Sequence, residues 1–169
     1  MEEKQTVLFD FSQLDVVTRW RVVDDWVRGG VSQSTLSLNQ EGAARFFGTA
    51  SPQRSAGFAS VRSPLAEYAL HAYRGLAFRV KTDGKRYALN ISIGAYLDSV
   101  LYQTRFDPAA NIWITLRLPF VHFIPTFQGR VLHSVPPLDP ASIKFFELMI
   151  EERQPGPFNL EIKWLAAYL

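Results

Sequence analysis

The chain has 169 residues, enough of them hydrophobic (47%) to build a core, and no cysteine, which excludes disulfides, thiolate metal sites and a cysteine nucleophile. The formal net charge is only +2, so charge gives no indication of nucleic-acid binding. No apolar run approaches the roughly 18 residues that cross a bilayer, and residues 1–5 are too polar for a secretory signal. We expect one domain over residues 1–169, located in the compartment where it is synthesised.

The first part of the chain predicts one helical segment and several short strands. Residues 12–18 read as a helical turn with Ser12 as its N-cap, because a serine hydroxyl accepts a hydrogen bond from a free amide of the first turn. An Asn-Gln-Glu-Gly sequence at residues 39–42 has the composition of a hairpin turn. The predicted strands of this part, the first two of them flanking that turn, are residues 34–38, 44–48 and 58–62.

Alternation of apolar and polar residues dominates the rest of the chain. Leu76, Phe78 and Val80 face one way while Arg79 faces the other, and the Thr-Asp-Gly-Lys sequence at residues 82–85 reads as a hairpin turn. The strands predicted in this way are residues 76–81, 87–93, 100–106, 113–118, 143–150 and 158–164. Short strands without crossover helices between them predict an antiparallel β-sandwich or barrel.

Two details of the last strands are also predicted. The alternation of residues 143–150 changes its parity between Phe145 and Phe146, which indicates a β-bulge. In the last strand the alternation places four apolar side chains on the core face: Phe158, Leu160, Ile162 and Trp164.

The sequence matches no catalytic template. His71, His122 and His133 lack the spacing that brings two imidazoles to one metal ion. There is no Gly-x-Ser-x-Gly elbow and no glycine-rich loop opening a helix for phosphate. Asp24 and Asp25 are adjacent and would point apart on a strand, so they do not form a carboxylate pair across a cleft. We expect no catalytic residues, no metal and no cofactor, and therefore a binding module.

Polar and aromatic side chains on the predicted strands form the first candidate site. If the alternation holds, one sheet face opposite the core carries a polar set: Arg79, Asn90, Gln103, Arg105, Trp113, Thr115 and Arg117. Arginine, amide and tryptophan side chains bind sugars or proteins by stacking and bidentate hydrogen bonds. An ordinary solvated sheet face has the same composition, so both interpretations stay open.

A phenylalanine-rich segment at residues 118–129 is the second candidate. Pro119 and Pro125 exclude a regular central strand there, because proline cannot donate to the hydrogen-bond ladder. Phe120, Phe123 and Phe127 either cap an open end of the sandwich or protrude as a hydrophobic contact.

The third candidate is the segment at residues 20–34, which reads W-R-V-V-D-D-W-V-R-G-G-V-S-Q-S. It resembles the signature W-x3-[ND]-D-x-V-M-G-G-x-S of the thirty-kilodalton complex I intermediate-associated protein family. Further pieces similar to that family follow in order between residues 8 and 165: Phe46-Phe47-Gly48, residues 57–62, Tyr73-Arg74-Gly75-Leu76, residues 83–87, Trp113, Pro119-Phe120, residues 127–130 and residues 156–162.

This resemblance implies a galactose-binding-like jelly roll, akin to carbohydrate-binding modules, with no catalytic residues to carry over. Members of the family are assembly factors that hold membrane-arm intermediates of NADH:ubiquinone oxidoreductase, and related domains occur in photosynthetic organisms. The chain departs from the family pattern at Arg28, where methionine is usual, and at residues 145–150, where the usual glycine is missing.

The function implied is a protein-binding assembly factor or scaffold for a respiratory or photosynthetic membrane complex. The expected partners are assembly intermediates or other assembly proteins, with room for peripheral membrane association and no nucleic acid. A jelly-roll carbohydrate-binding module, with a glycan as partner, is the alternative.

The signature segment itself has two interpretations. Its aspartates and serine can lock neighbouring turns, with Arg62 or Arg86 pairing with the carboxylates, or they can form a binding site at the rim of the sandwich. The residues of this candidate site are Asp24, Asp25, Arg28, Ser32, Arg62 and Arg86.

Overall fold

A computed structural model describes residues 4–24, 32–51, 58–94, 100–151 and 153–169. Asp25 and Arg28 therefore lie outside the described residues. One short α-helix, α1 (Leu14–Arg19), lies among the described residues. In chain order the strands are β1 (Gln5–Asp10), β2 (Arg21–Asp24), β3 (Gln33–Leu38), β4 (Ala44–Ala50), β5 (Ala59–Arg62), β6 (Gly75–Thr82), β7 (Tyr87–Ser92), β8 (Leu101–Phe106), β9 (Ile114–Pro119), β10 (Ile124–Phe127), β11 (Arg130–Val131), β12 (Phe145–Ile150) and β13 (Gly156–Tyr168).

The strands form two antiparallel sheets that pack face to face as a jelly-roll sandwich. The first sheet has the order β3-β4-β13-β6-β9, with β1 paired beside β13. The second has the order β11-β10-β8-β7-β12-β5-β2. Among its crossings between the sheets, the chain passes from edge strand β2 to edge strand β3 on one side of the sandwich and from edge strand β9 to β10 on the other. We name these two sides the β2–β3 edge and the β9–β10 edge.

The predicted alternation accounts for the core between the sheets. On β6, Leu76, Phe78 and Val80 are buried in the main apolar cluster, and their neighbour Arg79 faces away from it. Strand β7 is different, because every one of its six residues is buried. Its outward side chains are therefore covered by their neighbours, which becomes important for the candidate site.

The first predicted turn is confirmed. Strands β3 and β4 pair as a hairpin, and the Oδ1 atom of Asn39 accepts hydrogen bonds from the amides of Glu41 and Ala43, both at 3.0 Å. Gly42 completes the turn at a φ of 76°, a conformation that favours glycine.

The turn at residues 82–85 is not a hairpin, which corrects the prediction. It carries the chain from β6 in the first sheet to β7 in the second. Its residues bond outward: the Asp83 amide donates to the carbonyl of Asn159 (3.1 Å), and the Tyr87 hydroxyl donates to the Asp83 carboxylate (2.8 Å). The residues do form a turn, but the composition of a turn does not reveal whether the next strand stays in the same sheet.

The helix cap was also predicted wrongly. Helix α1 begins at Leu14 after Gln13, whose side chain makes no capping hydrogen bond. Ser12 instead donates from its amide (3.0 Å) and its hydroxyl (2.7 Å) to the carboxylate of Asp10. Ser12 is therefore bonded within the turn that precedes the helix, and it does not cap the first helical turn.

The β-bulges lie elsewhere than predicted. Strand β12 pairs without interruption with both of its neighbours, because Phe145 faces outward beneath Arg62 while Phe146 faces the core. One bulge occurs in β13 after Ile162, so Leu165 takes the core position expected for Trp164. A second interrupts the pairing of β1 with β13.

Candidate functional site

Asp24 ties the two sheets together at the β2–β3 edge. It ends β2, the edge strand of the second sheet, and is buried. Its carboxylate accepts hydrogen bonds from the amide (3.1 Å) and the hydroxyl (2.6 Å) of Ser34 on β3, the edge strand of the first sheet. Hydrogen bonds to a buried carboxylate are charge-assisted and therefore among the stronger ones.

Ser32 and Gly48 strengthen the same edge. The Ser32 hydroxyl accepts a 2.6 Å hydrogen bond from the amide of Ser51, just after β4. A Cβ atom on Gly48 would lie only 2.0 Å from the carbonyl oxygen of Gln33, so only glycine permits this close pairing of β3 with β4. Among the described residues, the signature segment thus acts as a lock between strands, although a polar cavity of about 490 Å³ lies beside Asp24.

The outer face of the second sheet carries a row of polar side chains, which we call the Glu147 row: Arg62, Glu147, Asn90 and Gln103. These residues face one another across β5, β12, β7 and β8. Glu147 accepts from the Nε atom of Arg62 and from the amide of Asn90 (2.8 Å), and Asn90 accepts from Gln103 (3.0 Å). Glu147 is 2% and Asn90 0% exposed, so the middle of the row is sealed by its own members and neighbours.

A second ion cluster lies beside this row. The Glu151 carboxylate lies 2.5 Å from Nε of Arg105 and 3.6 Å from Nε of Arg86. Arg62 and Arg86 therefore face glutamates at strand β12 and its end, Glu147 and Glu151, rather than the aspartates of the signature. Both arginines around Glu151 are more than half exposed, so these pairs are screened by solvent and contribute little to stability.

The polar set predicted to share one face is divided between the two sheets. Asn90, Gln103 and Arg105 belong to β7 and β8 of the second sheet. Arg79, Thr115 and Arg117 belong to β6 and β9 of the first, on the opposite side of the molecule, with Trp113 just before β9. The prediction of a single platform is therefore wrong, because alternation gives the parity of a side chain and not the sheet that carries it.

The residues of the first-sheet group are engaged with one another and with lysines. Arg79 donates to the Thr115 hydroxyl at 3.3 Å. The Trp113 ring lies 4.5 Å from the ammonium of Lys163 and 5.2 Å from that of Lys81, both within cation–π range. An indole flanked in this way offers less free ring surface for a sugar to stack on.

The phenylalanine-rich segment closes the β9–β10 edge. A 3₁₀ turn, Phe120–His122, follows β9, and the rings of Phe120 and Phe123 are buried with their centroids 6.4 Å apart. Phe127 is partly exposed, and Val121, at the tip of the turn, is 87% exposed. Phe120 and Phe123 therefore cap the open end of the sandwich, whereas Val121 protrudes into solvent.

Several residues of these sites were not predicted from the sequence to be site residues. Glu147 and Glu151 were missed because a lone glutamate in an apolar strand shows its burial only when its partners on other strands are known. Arg74 and Tyr168 line a cavity at the β9–β10 edge together with Phe120. They were missed because they lie far apart in the chain.

No group of three or more His, Asp and Glu side chains within the described ranges is arranged to hold a metal ion. Likewise, no helix in the described part of the chain is long and apolar enough to cross a bilayer.

Two solved structures share the fold. Both are family 11 carbohydrate-binding modules from Clostridium thermocellum, one of them of a cellulosomal cellulase and the other in complex with a β-1,3-1,4-mixed-linked tetrasaccharide. The first, described as the module of Lic26A-Cel5E, aligns with a TM-score of 0.74 and 16% identity, over 100% of this chain and 97% of that one. The tetrasaccharide complex has the same TM-score and identity, over 99% and 96%. At this identity the likeness shows the jelly-roll architecture alone.

Sequence comparison gives the family. The complex I intermediate-associated protein 30 of Drosophila melanogaster, a mitochondrial protein, is 26% identical over 94% of this chain and 61% of its own length. The mouse protein of the same name is 25% identical over 98% of this chain and 57% of its own. The chain thus spans about three fifths of the length of these relatives. The family profile for complex I intermediate-associated protein 30 matches residues 9–162, from β1 to β13, and the chain belongs to this family.

Proposed function

We propose that this chain is a non-catalytic, protein-binding assembly factor or scaffold for a membrane complex, of the respiratory (complex I-like) or the photosynthetic kind. The observation that carries the proposal is the family match over residues 9–162, together with relatives named as complex I intermediate-associated proteins. The partners would be assembly intermediates or other assembly proteins. The compartment would follow the client: matrix, stroma or prokaryotic cytoplasm.

The surface of the sandwich supports binding to a protein. The charged groups of the Glu147 row are bonded to other residues of the fold. Apolar side chains, in contrast, are exposed around the β9–β10 edge: Val121, Ile124, Phe127 and Val131. Large exposed apolar patches mark sites of contact with proteins, membranes or ligands.

Native co-purification tests this function. The tagged chain, expressed in its own organism and released with a mild detergent such as digitonin, is expected to co-migrate with membrane-arm intermediates on a density gradient. An untagged strain serves as the control for unspecific recovery. A chain that migrates alone at its own mass under these conditions contradicts the proposal.

A glycan is the second candidate ligand, because the family 11 module shares the fold over nearly its full length and its complex holds a tetrasaccharide. The flanking of Trp113 by two lysines weighs against stacking on that ring. Titration calorimetry with the β-1,3-1,4-mixed-linked tetrasaccharide decides the matter. Saturable heat that is lost in Trp113→Ala favours this candidate, and no heat at millimolar sugar rejects it.

A further inference from the structure

A cavity of about 520 Å³ opens at the β9–β10 edge. Its volume lies in the range of ligand sites, roughly 300–1,000 Å³. We call it the Arg74 pocket, and the residues that matter for its chemistry are Tyr73, Arg74, Phe120, Val121, Phe123 and Tyr168. Proline side chains complete much of the remaining wall, so most of its lining is apolar.

Pieces of the chain that are distant in sequence build the pocket. The amide of Arg74 donates to the Tyr168 carbonyl at 2.8 Å, and the amide of Phe120 donates to the Arg74 carbonyl at 3.0 Å. A Cβ atom on Gly75 would lie 2.4 Å from the Leu118 carbonyl oxygen and 2.8 Å from the Tyr168 hydroxyl. Glycine at this position therefore lets β9 and the tyrosine ring close over β6. The backbone is fixed at each of these points, which makes the pocket preformed.

Arg74 is a cation whose charged group has no partner among the described residues. Its backbone is held on both sides, yet within the described residues its guanidinium has no hydrogen bond and no ion pair, and the side chain is exposed at the pocket. The Arg117 guanidinium adds positive charge nearby, 5.9 Å from the centre of the Tyr168 ring. The carboxylate of Asp139, next to the lining residues Leu138 and Pro140, accepts hydrogen bonds within its own turn, from the Ala141 amide and the Ser142 hydroxyl.

Val121 supplies an apolar contact at the mouth. It is 87% exposed, although Phe120 before it and Phe123 after it are buried. Covering an apolar side chain removes it from water and is favourable in proportion to the area buried. A ligand seated in the Arg74 pocket would cover Val121 and meet Arg74 at the same time.

We propose that the Arg74 pocket binds a peptide segment of a client protein in which large apolar side chains stand next to a carboxylate. The apolar side chains would enter between Phe120 and Tyr168 against Val121, and the carboxylate would pair with Arg74. The inference rests on the proposed function and names the chemistry of the partner. A lipid surface fits less well, because polybasic lipid-binding segments carry about four to eight Lys or Arg. Among the described residues, the pocket lining includes one such cation, Arg74, with Arg117 near the Tyr168 ring.

Two labelled amphipathic peptides test the proposal on the full chain. Both are about 16 residues long, with leucine at the i, i+3, i+4 and i+7 positions that anchor a helix in a groove. One carries glutamates beside the leucines and the other carries lysines. By fluorescence anisotropy, the glutamate peptide should bind about tenfold more tightly, a difference of about 1.4 kcal/mol.

Variants make the test specific. Arg74→Glu should reverse the preference between the peptides, because it reverses the charge at the mouth. Val121→Asp should weaken the glutamate peptide about tenfold by placing a charge on the apolar contact and repelling its acids. The matched control is Arg19→Glu, an exposed arginine on α1, which packs against β3 at the far edge of the first sheet. It should leave both affinities unchanged, and thermal unfolding of each variant confirms that it is folded.

Three outcomes overturn the proposal: equal affinity for both peptides, an unchanged preference in Arg74→Glu, or no binding of either peptide. Binding of vesicles with about 30% phosphatidylserine, lost in Val121→Asp while neither peptide binds, would assign the surface to lipid instead. If Arg74→Glu still co-purifies with assembly intermediates, the pocket proposal fails and the proposed function stands. If the wild-type chain binds the glutamate peptide but recovers no intermediate, the proposed function fails and the pocket chemistry stands.

Discussion

The two edges of the sandwich are closed by different means. At the β2–β3 edge, Asp24 and Ser32 hold the strands with hydrogen bonds of 2.6 to 3.1 Å to Ser34 and Ser51. At the β9–β10 edge, buried rings close the gap and leave a cavity and an exposed valine beside them. Hydrogen bonds weaken steeply when their angle departs from linear, whereas burial of apolar surface has no directional requirement. The first edge is therefore suited to holding the sheets and the second to binding.

Removing a ring from the β9–β10 edge should have the largest effect. Phe123→Ala leaves a cavity in place of a buried side chain and should lower the free energy of unfolding by about 3–5 kcal/mol, measured by urea denaturation. Phe127→Ala, at a partly exposed position on the same segment, should cost less than about 1 kcal/mol. Equal losses in the two variants would show that the rings do not plug this edge.

The second largest loss of stability is expected at the β2–β3 edge, where the backbone of Gly48 lies close to that of Gln33. Gly48→Ala places a methyl group against the Gln33 backbone and should cost about 3 kcal/mol, because backbone atoms cannot move aside without disturbing the ladder. Thr49→Ala, an exposed neighbour on β4, is the control and should change the free energy of unfolding by less than about 0.5 kcal/mol. A tolerated methyl group at position 48 would mean that β3 and β4 are less tightly paired than the structure shows.

The carboxylate lock is expected to contribute somewhat less. Asp24→Ala should cost about 2 kcal/mol, since hydrogen bonds to charged groups contribute about 1.5–3 kcal/mol. A double-mutant cycle with Ser34→Ala, read from urea denaturation, should show that the two losses are not additive. Strict additivity would indicate that Asp24 stabilises the edge through other partners.

The smallest effect is expected outside both edges, at the turn before α1. Hydrogen bonds from the Ser12 hydroxyl and amide lower the pKa of Asp10 below its ordinary value. The stability from this group is therefore present above the unfolded-state pKa and is lost as the pH falls through the folded-state pKa. Ser12→Ala should raise the Asp10 pKa and flatten that acid loss, with less than about 0.5 kcal/mol at neutral pH because the site is exposed. NMR titration of the Asp10 carboxyl carbon measures the pKa, and an unshifted value contradicts the assignment.

Much of the fold was predictable because a sheet with one buried face forces a period of two. That period identified the core face of β6, and the turn composition of residues 39–42 identified the hairpin of β3 with β4. The period did not show which of the two sheets each strand belongs to. The connection at residues 82–85 looks like a hairpin turn, yet it crosses the sandwich, and the polar set was divided for that reason.

The sites were less predictable than the fold. The signature segment left two interpretations of Asp24 and Ser32 open, a lock on neighbouring turns or a binding site at the rim. In the structure their hydrogen bonds reach Ser34 and Ser51, which lie 10 and 19 positions further along the chain. The Arg74 pocket depends on Tyr73 meeting Tyr168, nearly a hundred positions away. Such a meeting is a property of strand order, which no local pattern encodes.

The Glu147 row has a consequence for how the strands find one another. A shift of β12 by one residue would move Glu147 into the apolar core, where neither Arg62 nor Asn90 could follow it. An unpaired buried carboxylate costs several kcal/mol, so mispaired sheets would be strongly disfavoured. The row thus selects against every register of β12 that is shifted by an odd number of residues, and in this way it contributes to folding specificity.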